Sequence, residues 1–274
     1  MKEKVELLVS CMHQNDLSVV ERMNIHSDVL LINQCDENQK NEYECNGYTV
    51  REIRTTQRGL SNSRNMAIQN AIGSICLICD DDEVLDDDYA EKIVAGYEKY
   101  PDADIIAFRM HNQPSRLKQE EQRLNQWTAL RISSWQITFR PDSIRAKGLY
   151  FDPLLGAGSG NGASEEVKFL RDCIHRKLKA YYIPEDIGNV GNNYLQSGEA
   201  EGTWFEGYDE KFFYQRGTVN RYMLGTPVAL FYAAYYTIVK KSQYEKSISP
   251  KDAFIQSVKG IIGNDIQKQK EGRK

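Results

Sequence analysis

An acidic segment, DDDE at residues 80–83, directly follows the apolar run ICLIC at residues 75–79. An apolar run bounded by a turn is typical of a strand buried on both faces, so these carboxylates would lie at the edge of a sheet. Carboxylates held this close repel one another unless a cation or a donor compensates them. Asp80 and Asp82 offer the oxygen ligands that Mg²⁺ and Mn²⁺ prefer, and leave coordination positions open for phosphate oxygens. The segment predicts a divalent cation site of the kind that acts on nucleotide substrates.

The acidic segment has two structural alternatives. A calcium-binding EF-hand loop is excluded because Val84 and Leu85 occupy its third acidic position and its glycine position. A solvated helix start is the second alternative, since acidic side chains favour helix N-termini, and it suffices for residues 86–88. For Asp80 and Asp82 the cation site is the favoured interpretation.

Two further stretches could carry chemistry. The glycine-rich GAGSGNGASEE at residues 156–166 ends in Glu165 and Glu166, and a carboxylate can accept a proton from an attacking hydroxyl. Locally, an ordinary helix start capped by Ser164 is the favoured interpretation of this pair, and only the upstream cation site raises the catalytic one. In RGLSNSRN, Arg58 and Arg64 bracket a predicted helix start, which suits an anionic or heterocyclic ligand.

Composition argues against several functional classes. A net charge of −4 disfavours a nucleic-acid-binding protein, which usually has a basic surplus. The N-terminus has no apolar region of signal-peptide length, and no apolar run reaches the roughly 18 residues of a membrane-spanning helix. The six cysteines are therefore expected to be reduced thiols of a cytosolic protein, with Cys76 and Cys79 on opposite faces of their strand.

Strand and helix patterns alternate through the first half of the chain. Strands are predicted at residues 5–12, 28–34, 48–53, 75–79 and 103–110. Helical patterns lie between most of them, which predicts an α/β domain with a largely parallel sheet. Ligands of such sheets bind at the carboxyl ends of the strands, so residues 33–38 (NQCDEN) and the acidic segment are expected to face one crevice.

The order and spacing of the elements over about residues 4–185 resemble those of family 2 glycosyltransferases. The elements that carry the resemblance are the strands, the helix that contains SRN, the DDDE block and the glycine-rich loop with its acidic pair. The nearest likeness is to bacterial capsule and exopolysaccharide transferases. The resemblance implies a Rossmann-like GT-A domain at residues 1–205, with a mostly parallel central sheet flanked by helices. A helical, aromatic-rich C-terminal extension would follow at residues 206–274.

The resemblance also implies roles for individual residues. The donor nucleotide would be bound by Asp36, Arg64, Asp80 and Asp81. Asp82, together with Asp80, would bind Mn²⁺ or Mg²⁺ on the diphosphate.

Glu166, or its neighbour Glu165, would be the base that deprotonates the acceptor, where the family has an aspartate. Many relatives supply a histidine to the metal after the sheet, whereas residues 186–205 contain none.

The activity implied is inverting transfer of a sugar, from a UDP-sugar by preference, to a glycan or lipid-linked saccharide in bacterial surface polysaccharide synthesis. The alternatives are a non-catalytic nucleotide- or glycan-binding module and a sugar nucleotidyltransferase. The latter needs a glycine-rich basic loop after the first strand, which SCMHQND does not provide. We expect a cytoplasmic protein with no nucleic-acid partner, and a peripheral contact with the inner face of the plasma membrane through the C-terminal region.

Overall fold

The computed structural model describes residues 3–162, 164–191, 207–263 and 266. The chain divides into two compact units. The sheet unit comprises Met1–Phe151 and Glu166–Gln196, and the helical unit comprises Asp152–Glu165 and Ser197–Lys274. The boundary predicted at residues 205/206 lies outside the described residues. The sequence pattern did not predict that the glycine-rich stretch would group with the C-terminal helices.

A mixed sheet forms the centre of the sheet unit. Its strands and those of a separate two-stranded sheet are β1 (Val5–Met12), β2 (Asp28–Gln34), β3 (Gln39–Cys45), β4 (Tyr48–Thr55), β5 (Ile75–Asp80), β6 (Glu83–Leu85), β7 (Ile105–Arg109), β8 (Gln122–Arg123), β9 (Ile137–Phe139), β10 (Ala180–Asp186) and β11 (Gly188–Val190). In the described part of the chain, nine strands pair in the order β3-β4-β2-β1-β5-β9-β7-β10-β8, and β6 pairs with β11. Strands β4, β2, β1 and β5 are parallel neighbours. Strand β9 is antiparallel to both β5 and β7, so β5 and β7 run in the same direction.

Helices flank the sheet and make up most of the helical unit. They are α1 (Ser18–Arg22), α2 (Leu60–Asn70), α3 (Tyr89–Lys99), α4 (Pro141–Ala146), α5 (Glu165–His175), α6 (Glu210–Leu224), α7 (Thr226–Val239), α8 (Lys241–Tyr244) and α9 (Pro250–Gly263). Among the residues described, none of these helices combines the length and apolar character needed to cross a bilayer.

Each face of the sheet carries its own apolar core. Along β5 the side chains alternate, so that Cys76 and Ile78 belong to one core and Leu77 and Cys79 to the other. The prediction that the two cysteines point to opposite faces is confirmed. Burial raises the pKa of both thiols well above the usual value, as expected for core residues.

Strand β3 has no apolar alternation and was not predicted. It is an edge strand paired only with β4, and most of its side chains are exposed. The turn between β3 and β4, Asn46-Gly47, has positive φ at both residues, 53° and 82°. This is the conformation of a two-residue type I′ hairpin turn, which Asn-Gly favours. The dipeptide was therefore the available signal for this hairpin.

In the helical unit, α6 and α9 pack with their backbones in direct contact. A Cβ atom at Gly217 would lie 2.1 Å from the carbonyl oxygen of Ser257, and one at Gly260 would lie 1.9 Å from that of Tyr214. Any larger residue at either position would push the helices apart, so glycine is required at this crossing.

Candidate active site

The carboxyl ends of the parallel strands meet at one edge of the sheet. Ser10 near the end of β1 pairs with Asp80 at the end of β5, and Gln34 of β2 pairs with Thr55 of β4. Residues that follow these strands therefore share the crevice in which such sheets bind ligands. Asp36 and the acidic segment both follow strands at this edge, as predicted.

Residues 80–83, which we call the acidic edge, begin with Asp80. Arg64 of α2 is only 2% exposed, and its Nη2 donates to both carboxylate oxygens of Asp80, at 2.9 and 3.2 Å. The guanidinium also lies over the ring of Phe151, 5.5 Å from its centroid. A buried guanidinium held by a carboxylate and an aromatic face has little freedom, so it fixes the position of Asp80.

Asp81 and Asp82, the next two residues of the acidic edge, carry like charges that repel each other. Gln14 Nε2 donates to Oδ2 of Asp81 at 3.0 Å. Burial and the charge of Asp80 raise the pKa of Asp81. Burial, with the charges of Asp80 and Asp81, raises the pKa of Asp82 to about 6. A bound cation would relieve this repulsion.

Glu83 supports the turn that carries Asp81 and Asp82. It is 1% exposed, and its Oε1 accepts a hydrogen bond from the backbone N–H of Asp80 at 3.0 Å. Burial and the neighbouring carboxylates raise the pKa of Glu83 well above its usual value. The segment after β11 also touches this turn, because a Cβ atom at Gly191 would lie 2.3 Å from the carbonyl oxygen of Asp82.

Asp36 pairs with Arg58 rather than with the acidic edge. Its side chain is 88% exposed, and Arg58 Nη2 donates to its Oδ1 at 2.7 Å. Arg58 Nη1 donates to the carbonyl oxygens of Cys35 and Thr55, at 2.8 and 3.1 Å. Arg58 therefore ties the end of β2 to the end of β4 and holds Asp36 at the crevice.

Asn33, the first residue of the NQCDEN stretch, holds the loop after β1. Asn33, buried in β2, donates through Nδ2 to the carbonyl oxygen of Gln14 at 2.8 Å and to Oε1 of Glu52 at 2.9 Å. Its Oδ1 accepts from the backbone N–H of Gln14 at 3.1 Å. This fixes the side chain that reaches Asp81. The available signal was a polar residue inside an apolar strand, since buried polar groups require partners.

The two predicted catalytic glutamates open α5, as expected, but they belong to different units. Glu165 lies in the helical unit, where it is buried and packs so closely on Gly156 that a Cβ atom there would lie 3.0 Å from its Cδ. Glu166 lies in the sheet unit and is partly exposed. The two glutamates therefore differ in burial, and Glu166 is the more accessible of the two.

The residues that could hold a metal ion are Asp80 and Asp82 of the acidic edge. Over the described ranges, no group of three or more His, Cys, Asp and Glu side chains is arranged to hold a metal. Asp80 and Asp82 supply hard oxygen ligands and excess negative charge, which fits Mg²⁺ or Mn²⁺ with phosphate oxygens completing the coordination.

Comparisons with solved structures agree with the architecture. The structure of S. aureus TarS 1-349 in complex with UDP-GlcNAc matches with a TM-score of 0.60 at 12% identity, covering 93% of this chain and 79% of that one. Mannosyltransferase PcManGT from Pyrobaculum calidifontis, in complex with GDP-Man and Mn²⁺, matches with a TM-score of 0.50 at 11% identity, covering 96% and 87%. At these identities the likeness establishes the fold, and the predicted GT-A fold is confirmed.

Sequence comparison adds the family. No curated protein sequence matches the chain. The family model described as glycosyl transferase family 2 matches residues 17–154, half of the chain, and this segment contains Asp36, Arg64 and the acidic edge. The chain therefore belongs to glycosyl transferase family 2.

Proposed function

We propose that the protein is an inverting transferase that moves a sugar from a nucleoside diphosphate sugar, with UDP as the first candidate, to a hydroxyl group of a glycan or lipid-linked saccharide. Synthesis of a bacterial surface polysaccharide is the process that such an acceptor implies. The observation that carries this proposal is the acidic edge, where Asp80 is fixed by Arg64 and Asp82 lies in unrelieved repulsion. The structures of TarS with UDP-GlcNAc and of PcManGT with GDP-Man support a donor of this class.

The donor would lie across the acidic edge. Asp82 and Asp80 would hold Mn²⁺ or Mg²⁺ on the diphosphate, and Asp36 and Asp81 would contact the nucleotide. Arg64 is 2% exposed and would act through Asp80 rather than on the nucleotide itself. When bound, the cation offsets the charge that develops on the departing nucleoside diphosphate. Arg64 contributes by keeping the Asp80 carboxylate oriented before the donor arrives.

Glu166 would be the general base. As the acceptor oxygen bonds to the anomeric carbon and the bond from that carbon to the diphosphate oxygen breaks, the hydroxyl proton passes to the Glu166 carboxylate. Attack on the face opposite the leaving group inverts the configuration. Partial exposure favours Glu166, whereas the alternative base, Glu165, is buried against Gly156.

A donor panel tests this proposal. Hydrolysis and transfer are measured with UDP-, GDP- and dTDP-sugars, with and without Mn²⁺. We expect metal-dependent turnover of one donor class and its loss in Glu166→Gln, with Glu165→Gln much less affected. Binding of a donor without turnover would favour the non-catalytic module, and formation of a sugar nucleotide from a sugar phosphate would favour the nucleotidyltransferase.

We also propose that α7 lies on a membrane surface, where lipid-linked acceptors are found. Phe231, Tyr235 and Ile238 recur with helical spacing on its exposed side, and Phe231 and Ile238 are 67% and 75% exposed. Lys240 and Lys241 follow directly, as in helices that bind anionic lipid surfaces.

Sedimentation with vesicles that contain anionic lipid tests the membrane contact. The Phe231→Ser/Ile238→Ser variant should stay in the supernatant, while the wild type and Ile72→Ser, which removes an equally exposed apolar side chain from the sheet unit, should pellet. Equal pelleting of all three proteins would exclude α7 as the contact.

A further inference from the structure

A pocket lined by arginine side chains lies at the carboxyl end of β7. Its lining includes Arg109, the last residue of β7, together with Arg116, Arg131 and Trp135. We call it the arginine pocket. None of these residues has a role in the donor site described above.

The charges of the arginine pocket are only partly compensated. Arg109 Nε lies 3.2 Å from a carboxylate oxygen of Asp186. Arg116 and Arg131 are exposed, and within the described residues no carboxylate lies at ion-pair distance from either. Arg131 Nη1 lies 3.4 Å from the backbone carbonyl oxygen of Arg116, which keeps the two cationic segments together. Neighbouring cations without a carboxylate favour a bound anion, and guanidinium groups match phosphate and carboxylate oxygens in pairs.

The wall of the pocket is held to the sheet by hydrogen bonds. Gln136 Nε2 donates to the carbonyl oxygen of Phe108 at 2.7 Å, and Gln136 Oε1 accepts from the backbone N–H of Ser133 at 3.0 Å. Trp135, between them in sequence, is partly buried and packs on an apolar core. The pocket therefore has a fixed aromatic wall, which suits the apolar face of a sugar ring.

Strand register relates the arginine pocket to the acidic edge. Leu77 of β5 and Ile106 of β7 are both paired with Thr138 of β9. Asp80 and Arg109 each follow three residues later, as the last residues of parallel strands. They therefore occupy equivalent positions at the same sheet edge, two strand spacings or about 10 Å apart. A saccharide bound in the pocket is within reach of a donor at the acidic edge.

We infer that the arginine pocket binds an anionic group, a phosphate or a carboxylate, on the acceptor, so that the acceptor is an acidic saccharide. This inference rests on the proposed transferase function, because it names the class of the second substrate. In the proposed function, the donor would have its cationic partner in a metal ion held by Asp80 and Asp82. The uncompensated Arg116 and Arg131 are thus assigned to the other substrate.

Binding of simple sugars to the full chain tests the inference. The probes are a hexose 6-phosphate, a hexuronate and the neutral hexose, titrated by calorimetry into the wild type, Arg116→Ala/Arg131→Ala and the matched control Arg123→Ala. Arg123 is an exposed arginine of the same unit that does not line the pocket. Mn²⁺-dependent binding of UDP, GDP and dTDP is measured on the same proteins, and circular dichroism verifies that each variant is folded.

The wild type and Arg123→Ala should bind at least one anionic sugar and prefer it to the neutral hexose. The double variant should bind it roughly tenfold more weakly for each arginine removed, since hydrogen bonds to charged groups are the strong ones. Nucleotide affinity should be unchanged in all three. The phosphate and carboxylate probes distinguish the two sources of the anion.

Three results would overturn the inference: no binding of either anionic sugar by the wild type, equal affinity in the double variant, or a selective loss of nucleotide binding in that variant. The last would assign the pocket to the donor. If instead the proposed transferase function is wrong, the wild type should bind none of the three nucleotides.

Discussion

The acidic edge and the arginine pocket lie at the ends of two parallel strands, β5 and β7, and carry opposite charges. The two sites differ in how deeply their charged groups are buried. Arg64, which pairs with the acidic edge, is buried, and burial raises the pKa values of Asp81 and Asp82, whereas Arg116 and Arg131 are exposed. Buried charges interact more strongly, because water screens them less. The acidic edge should therefore determine whether the reaction occurs, and the arginine pocket which acceptor enters it.

The largest expected effect is on turnover at the acidic edge. Asp82→Asn keeps the shape of the side chain and replaces an anionic metal ligand by a neutral, weaker one, so kcat for the donor should fall on the order of a hundredfold or more. Asp87→Asn makes the same charge change in the same acidic run, at a side chain that is 92% exposed, and should leave kcat within about twofold of the wild type. Equal rates for Asp82→Asn and the wild type would contradict the assignment of Asp82 as a metal ligand.

The ion pair between Arg64 and Asp80 should contribute more to the stability of the fold than the exposed arginines of the arginine pocket. Arg64→Met leaves Asp80 without its buried partner and should lower the free energy of unfolding by about 3 kcal/mol, as measured by urea denaturation. Arg116→Ala removes an exposed arginine and should stay within about 0.5 kcal/mol of the wild type. Similar losses in the two variants would contradict the contrast between buried and exposed charges.

Removing the uncompensated charge of Asp82 should raise the free energy of unfolding. Because the folded-state pKa is raised from 3.8 to about 6, ionised Asp82 opposes folding above that pH. In a chelator at pH 7, Asp82→Asn should be more stable than the wild type by about 1 kcal/mol after allowance for solvent screening. The gain should shrink as the pH falls through 6 and disappear near 4. A variant less stable than the wild type at pH 7 would show that the repulsion is already relieved.

Asp86, in the same acidic run, should behave in the opposite way. Burial would raise its pKa, but hydrogen bonds with Lys92 and His111 outweigh this and lower the pKa below 3.8. Its ionised form therefore stabilises the fold above the unfolded-state pKa, and this contribution is lost as the pH falls through the folded-state value. Asp86→Asn should cost up to about 1 kcal/mol at pH 7 and almost nothing near pH 2. A difference independent of pH would exclude the electrostatic explanation.

The parts of the fold that depend on local pattern could be predicted from the sequence. The strands predicted at residues 5–12 and 28–34 match β1 and β2 residue for residue, because apolar side chains dominate both. Strand β3 was missed because an exposed edge strand has no apolar pattern. The likeness to the family also identified the acidic segment and Arg64 without any knowledge of their contact.

Features built from residues distant in sequence could not be predicted in this way. The pairing of Arg64 with Asp80 and the support of Asp81 by Gln14 depend on how strands meet at the sheet edge. Arg131 lies near Arg109 because β9, which follows Arg131 in sequence, pairs with β7. Each arginine alone looks like an ordinary surface residue, so only the register of the strands shows that they converge.

The metal site proposed at the acidic edge is tested most directly by calorimetric binding of UDP, GDP and dTDP to the wild type and to Asp82→Asn, with and without Mn²⁺. The acidic edge predicts that one nucleotide binds the wild type, that Mn²⁺ strengthens this binding at least tenfold, and that Asp82→Asn abolishes the effect of the metal. Nucleotide binding that is independent of Mn²⁺ and equal in the two proteins would contradict it.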